Sequence, residues 1–185
     1  MQFFPSGARG LWALGRRLPV LLVVLLPLAA LIGCSGDEGF RRNCPRIVVI
    51  KDAQNQVRFV GEGRDLTDVA FEANIDAKGI ECDFEEDEIA VSMEVRIEVT
   101  RGPAAPTPGA QLDYFVAVAR SDRTVLARDQ FGLKVEMPGN HTRVVALDEV
   151  SPTIPIAEGE TGADYLIYVG LSLTPEEMEY NRKNR

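Results

Sequence analysis

The sequence predicts an all-β domain of two packed antiparallel sheets, with a short helix at its C-terminal end. Three observations carry that expectation. Two long stretches, Val69 to Lys78 and Ile89 to Thr100, alternate apolar and polar residues with a period of two. Shorter apolar runs recur along the rest of the chain, punctuated by glycine, proline and acidic turn signals. Between them, no segment of useful length spaces its apolar residues as a helix does. Period two places alternate side chains on opposite faces, one on a core and one in water. Strands of that kind bury their apolar faces most economically by packing sheet on sheet.

Taken in order, the first strand candidates are Arg46 to Lys51 and Gln56 to Val60, both short. The third has Val69, Phe71, Ala73, Ile75 and Ala77 on one face and Glu72, Asn74, Asp76 and Lys78 on the other. The fourth sets Ile89, Val91, Met93, Val95, Ile97 and Val99 against Ser92, Glu94, Arg96, Glu98 and Thr100. Gly79 and the acidic run Asp83 to Glu88 between them read as a turn region. Arg101 to Ala110 is proline-rich and predicts an extended connection. Leu112 to Ala119 is apolar on both sides, as a covered central strand should be. Phe131 to Met137, Thr142 to Leu147 and Tyr165 to Leu173 complete a set of about seven strands. Thr174-Pro175-Glu176-Glu177 combines an N-cap, a proline at the first helical position and a capping-box glutamate, which predicts a helix from Pro175 to about Arg182. Gly162-Ala163-Asp164-Tyr165 resembles the corner tyrosine that enters a late strand in immunoglobulin-like and fibronectin-III-like sandwiches. That topology is the first expectation, with a jelly roll or small barrel as the alternative.

The start of the chain has a different composition. Met1 to Arg17 contains three arginines and no acid, and Leu18 to Ile32 is an uncharged apolar run of fifteen residues. A basic segment, a short apolar core and a small residue before a cut define an export signal. The run is shorter than the roughly 18 to 20 residues that span a bilayer, and Pro19 and Pro27 interrupt it. Leu31-Ile32-Gly33-Cys34 resembles the lipobox of bacterial lipoproteins. The resemblance implies cleavage between Gly33 and Cys34, a diacylglyceryl thioether on Cys34 and acylation of the new amino terminus. More than one acyl chain is what stable anchoring requires. Ser35, where an aspartate would favour retention in the inner membrane, implies the outer membrane, with the domain facing the periplasm. The expected organisation is a leader at 1–33, an anchor and tether at 34–43, and one domain at 44–185. The nine residues from Ser35 to Asn43 span at most about 30 Å.

The leader takes three of the 20 basic residues and none of the 28 acids, which leaves 17 against 28, a net charge of −11. That balance argues against nucleic acid and against anionic lipid headgroups as partners. Two further cysteines, Cys44 and Cys82, predict a disulfide in an oxidising compartment. A metal pair and a redox pair compete with it, but the cysteines lie too far apart for a CxxC motif and His141 is the sole histidine.

Little else in the sequence points to chemistry. His141 sits in Pro138-Gly139-Asn140-His141, a turn, with no G-x-S-x-G elbow in the chain. The acidic run Asp83 to Glu88 offers oxygen ligands but not the spaced Asp and Gly of a calcium loop. Arg64-Asp65 and Arg128-Asp129 read as surface ion pairs without a site role. No metal or cofactor is expected.

The segments Gly63-Arg64-Asp65-Leu66-Thr67-Asp68-Val69-Ala70-Phe71 and Gly162-Ala163-Asp164-Tyr165, with Val169-Gly170-Leu171-Ser172-Leu173-Thr174-Pro175-Glu176-Glu177, resemble a group of uncharacterised envelope lipoproteins of the alphaproteobacterial kind. Cys44-Pro45 and Cys82 fit the same group. The resemblance implies an envelope address and a disulfide, and no activity. The expected function is therefore a non-enzymatic binding or structural module of the cell envelope, held by the lipid on Cys34 and contacting an envelope protein. Two alternatives stand beside it: a carboxylate-based glycan hydrolase, and a calcium-stabilised ligand-binding or adhesion domain using the acidic turn.

Overall fold

The computed structural model describes residues 43–184. The leader, the Gly33–Cys34 cleavage and lipidation site, and the tether as far as residue 42 lie outside the described residues. The strands are β1 (Arg46–Val49), β2 (Asn55–Phe59), β3 (Val69–Phe84), β4 (Glu88–Arg101), β5 (Gly109–Arg120), β6 (Val125–Glu136), β7 (Arg143–Val150), β8 (Thr153–Pro155) and β9 (Tyr165–Leu171), followed by helix α1 (Pro175–Lys183). They form two sheets, one in the order β1-β9-β5-β6 and the other β2-β3-β4-β7, with β8 also paired to β4. The molecule is an all-β sandwich with one short C-terminal helix, as the alternating stretches predict.

The core lies between the sheets. Ile75, Ile89, Val95 and Val99 from one sheet and Tyr114, Ile167 and Val169 from the other are fully buried in a single cluster. The chain crosses between sheets from β1 to β2, from β4 to β5, from β6 to β7 and from β8 to β9. The last three of these crossings make β4 and β7 neighbours in one sheet and β5 and β9 neighbours in the other, the B–E and C–F pairing of an immunoglobulin-type sandwich. Tyr165, at the start of β9, is wholly buried and donates its hydroxyl to the Pro155 carbonyl at 3.1 Å and to Glu160. The corner tyrosine is therefore where the sequence placed it.

Three expectations need correction. First, the sheets are not wholly antiparallel: β1 runs parallel to β9, with Arg46 opposite Leu166 and Val49 opposite Val169. The N-terminal strand reaches the sheet edge from the same end as β9, a direction that period two does not encode. Second, nine strands occur among the described residues rather than about seven. The short β8 continues along β4 where β7 stops, beyond the Ser151-Pro152 interruption. Third, the supposed turn region is mostly strand. β3 continues through Asp83 to Phe84, and only residues 85–87 turn. The cause is a register shift between Lys78 and Glu81, next to Gly79, which has φ +68°. A one-residue bulge exchanges the two faces of a strand. Beyond it, Ile80, Cys82 and Phe84 take over the core side from Ala77.

Cys44 and Cys82 form a disulfide with their Cα atoms 5.9 Å apart. It ties the residue just before β1 in one sheet to β3 in the other. Helix α1 begins as predicted: the Thr174 side chain accepts from the Glu177 N–H at 3.2 Å, and Glu177 accepts from the Thr174 N–H at 2.9 Å.

Candidate functional site

The polar faces of β2, β3, β4 and β7 come into register as two rows across one sheet. Asn55, Asn74 and Glu98 line up in one row, and Val57, Glu72, Thr100 and Arg143 in the next. At the β2 edge, helix α1 stands beside these rows and adds Tyr180, Asn181 and Asn184. Together they line an open groove of about 630 Å³.

Local chemistry explains why the helix stops there. The Glu177 carboxylate, 10% exposed, accepts from Gln56 Nε2 at 3.0 Å and Arg58 Nε at 2.8 Å while still capping its own helix. Asn181 donates its amide to the carbonyls of Asp52 at 3.0 Å and Asn55 at 2.7 Å. Backbone oxygens at a sheet edge need partners, and a covering helix is one way to supply them. Phe59 and Tyr180 meet edge to face, with ring centroids 5.2 Å apart. Gln56 is 1% exposed, and its Oε1 has no hydrogen-bond partner.

Six Asn and Gln residues line the groove: Gln54, Asn55, Gln56, Asn74, Asn181 and Asn184. Asn74 donates to Asn55 Oδ1 at 2.7 Å, so adjacent strands already share one such contact. An amide offers donor and acceptor side by side, which matches peptide groups and side chains of the same kind. Two carboxylates, Glu72 of β3 and Glu98 of β4, also line the groove, a placement that linear spacing does not reveal. Glu98 is bound by Arg143 and by Arg96, the latter at 2.9 Å, and these guanidiniums hold its carboxyl below the usual carboxylate range. A general acid needs the opposite shift. No serine, cysteine or histidine lines the groove.

The other sequence candidates fall elsewhere. Cys44 and Cys82 are joined to each other. His141 is exposed in the turn before β7, and its N–H donates to the Pro138 carbonyl at 3.3 Å. Asp83 lies near the end of β3 and Glu88 begins β4, with Glu85, Glu86 and Asp87 in the turn between them. Among the described residues, no group of three or more His, Cys, Asp or Glu side chains is placed to hold a metal. Arg128 lies over the Phe115 ring, 4.1 Å from its centroid, rather than pairing simply with its neighbour Asp129. Sequence reading missed the groove because it joins β2 to α1 across about 120 positions. The one available signal was the density of Asn and Gln at 54–56 and 181–184.

No protein-family model matches the chain. No curated protein matches it either. Among solved structures, a member of the DUF1425 family from Shewanella sp. pv-4 is similar at 10% identity, covering 64% of this chain and 92% of that one, with a TM-score of 0.28. A likeness at that level carries no argument about function.

Proposed function

We propose that the protein is a lipid-anchored module of the cell envelope that binds a protein partner, without catalysis, through the groove between α1 and the β2–β3–β4–β7 sheet. The observation that supports this reading is the pair Asn55 and Asn74, set in register across β2 and β3, with the amides of Asn181 and Asn184 beside them on the helix. Glu98, fixed as an anion between Arg96 and Arg143, serves as a charged anchor for such a partner. The address rests on the lipobox-like Leu31-Ile32-Gly33-Cys34, which implies anchoring at the outer membrane on its periplasmic side.

Two experiments test the two halves separately. A photo-crosslinking residue at Asn74, in the protein expressed from its full sequence in intact cells, should trap an envelope protein identifiable by mass spectrometry. Recovery of uncrosslinked chain only, under conditions that trap a control complex, counts against the groove. Cys34→Ser should lose acyl label and membrane retention; label that persists removes the anchor.

A further inference from the structure

One edge of the other sheet is β6, twelve residues long and exposed over most of its length, with no strand on its outer side among the described residues. Its backbone polarity follows from its pairing with β5. The Met137 N–H donates to the Pro108 carbonyl at 2.7 Å, and the register is regular from Glu136 back to Ala127. In an antiparallel ladder, alternate residues point both backbone groups at the same neighbour. Odd-numbered residues therefore face β5, while Arg128, Gln130, Gly132, Lys134 and Glu136 offer N–H and C=O to the outer side. Over that stretch the edge carries no proline and no bulge, and its guard is the charge of Arg128, Lys134 and Glu136, the last two paired at 3.2 Å.

We propose that the occupant of this edge is a second copy of the chain, added antiparallel about a two-fold axis at Gly132. A two-fold interface must be self-complementary, and this register is. Gly132 meets Gly132, Gln130 meets Lys134, and Arg128 meets Glu136 twice. Both members of the ion pair lie on the outer face, where the Phe115 ring already supports the Arg128 guanidinium. On the core side, Phe131 falls opposite Leu133 and Ala127 opposite Met137. Moving the axis to residue 131 sets Arg128 against Lys134, a like-charge pair. Moving it to residue 130 sets Arg128 against Gly132 and Leu126 against Lys134, so neither ion pair survives. Charge complementarity selects one register, and the result is one continuous eight-stranded sheet across two molecules.

Sedimentation of the full chain in mild detergent, over a concentration series, tests the assignment. A dimer is expected, weakened at least about tenfold by either R128E or E136R, since like charges directly opposed are costly. The double variant R128E/E136R should recover to within about threefold of the parent, because it exchanges the charges of a pair. Q130P removes an N–H on the free edge alone, so it should abolish the dimer while leaving the circular dichroism spectrum unchanged. A monomer up to about 1 mM overturns the proposal. So does a dimer indifferent to Q130P, or a double variant as weak as either single one.

Discussion

At the scale of single residues, the corner of the sandwich depends on Glu160. It accepts from Tyr165, from the Ala157 N–H at 2.8 Å and from Arg120, and these contacts lower its carboxyl from 4.5 to about 2. The Tyr165 hydroxyl moves the other way, up to about 12, chiefly through burial and then through Glu160. A carboxyl with a depressed value stabilises the fold above its unfolded value and loses that contribution as pH falls through the folded one. The window is therefore pH 4.5 down to about 2. Thermal unfolding of the parent and of Glu160→Gln should show a gap at neutral pH that narrows across this window. A gap of constant size would exclude ionisation of Glu160 as its cause. Tyr165 itself was legible in the sequence, because a glycine turn precedes it. Glu160 was not, since no local pattern says which acid a corner tyrosine will choose.

At the scale of elements, α1 is held by one carboxylate more than by its own propensity. A helix of nine residues is too short to persist alone in water. Removing the Glu177 side chain leaves Gln56 buried with no partner at either end of its amide, and it frees Arg58. Glu177→Ala should cost roughly 2–4 kcal/mol, read from the urea midpoint, with loss of helical signal. Glu176→Ala is the control, because that side chain is 83% exposed and should change little. The start of α1 was readable from Thr174 and Glu177, but its docking partner Gln56 was not. The strands show the same division. β4 was legible from Ile89 to Val99 because one face is buried throughout. The first half of β6 was not, because residues 125–130 are exposed on both faces and so carry no alternation. The far half of β3 was hidden differently: the shift beside Gly79 exchanges its faces, so a period counted from Val69 runs out at Lys78.

At the scale of the whole molecule, the disulfide is the main covalent constraint among the described residues. It closes a loop with a sequence separation of 38. By the loop-entropy model this restricts the unfolded chain by roughly 4 kcal/mol, an upper figure. Reduction should therefore lower Tm by about 10 °C in a domain of this size. Calorimetry with and without reductant, with thiol titration to show complete reduction, checks this. A Tm that stays put with both thiols free would mean that the closed loop is already ordered in the unfolded chain. The cysteine pair was legible from the count of cysteines and the export signal the sequence resembles. Its place between the two sheets was not, because the parity shift in β3 decides which way Cys82 points.

The position of that bond also decides how the domain answers a pull. Force applied at the N-terminal end enters at Cys44, two residues before a four-residue strand on the sheet edge. With the bond intact, tension passes directly to Cys82 in β3, where the strand is paired to β4, and bypasses β1. With the bond reduced, the same tension would strip β1 from β9 along its length, in the manner of a zipper dragged sideways. The Cys44 end of the domain is thus mechanically stronger with the bond formed than with it reduced.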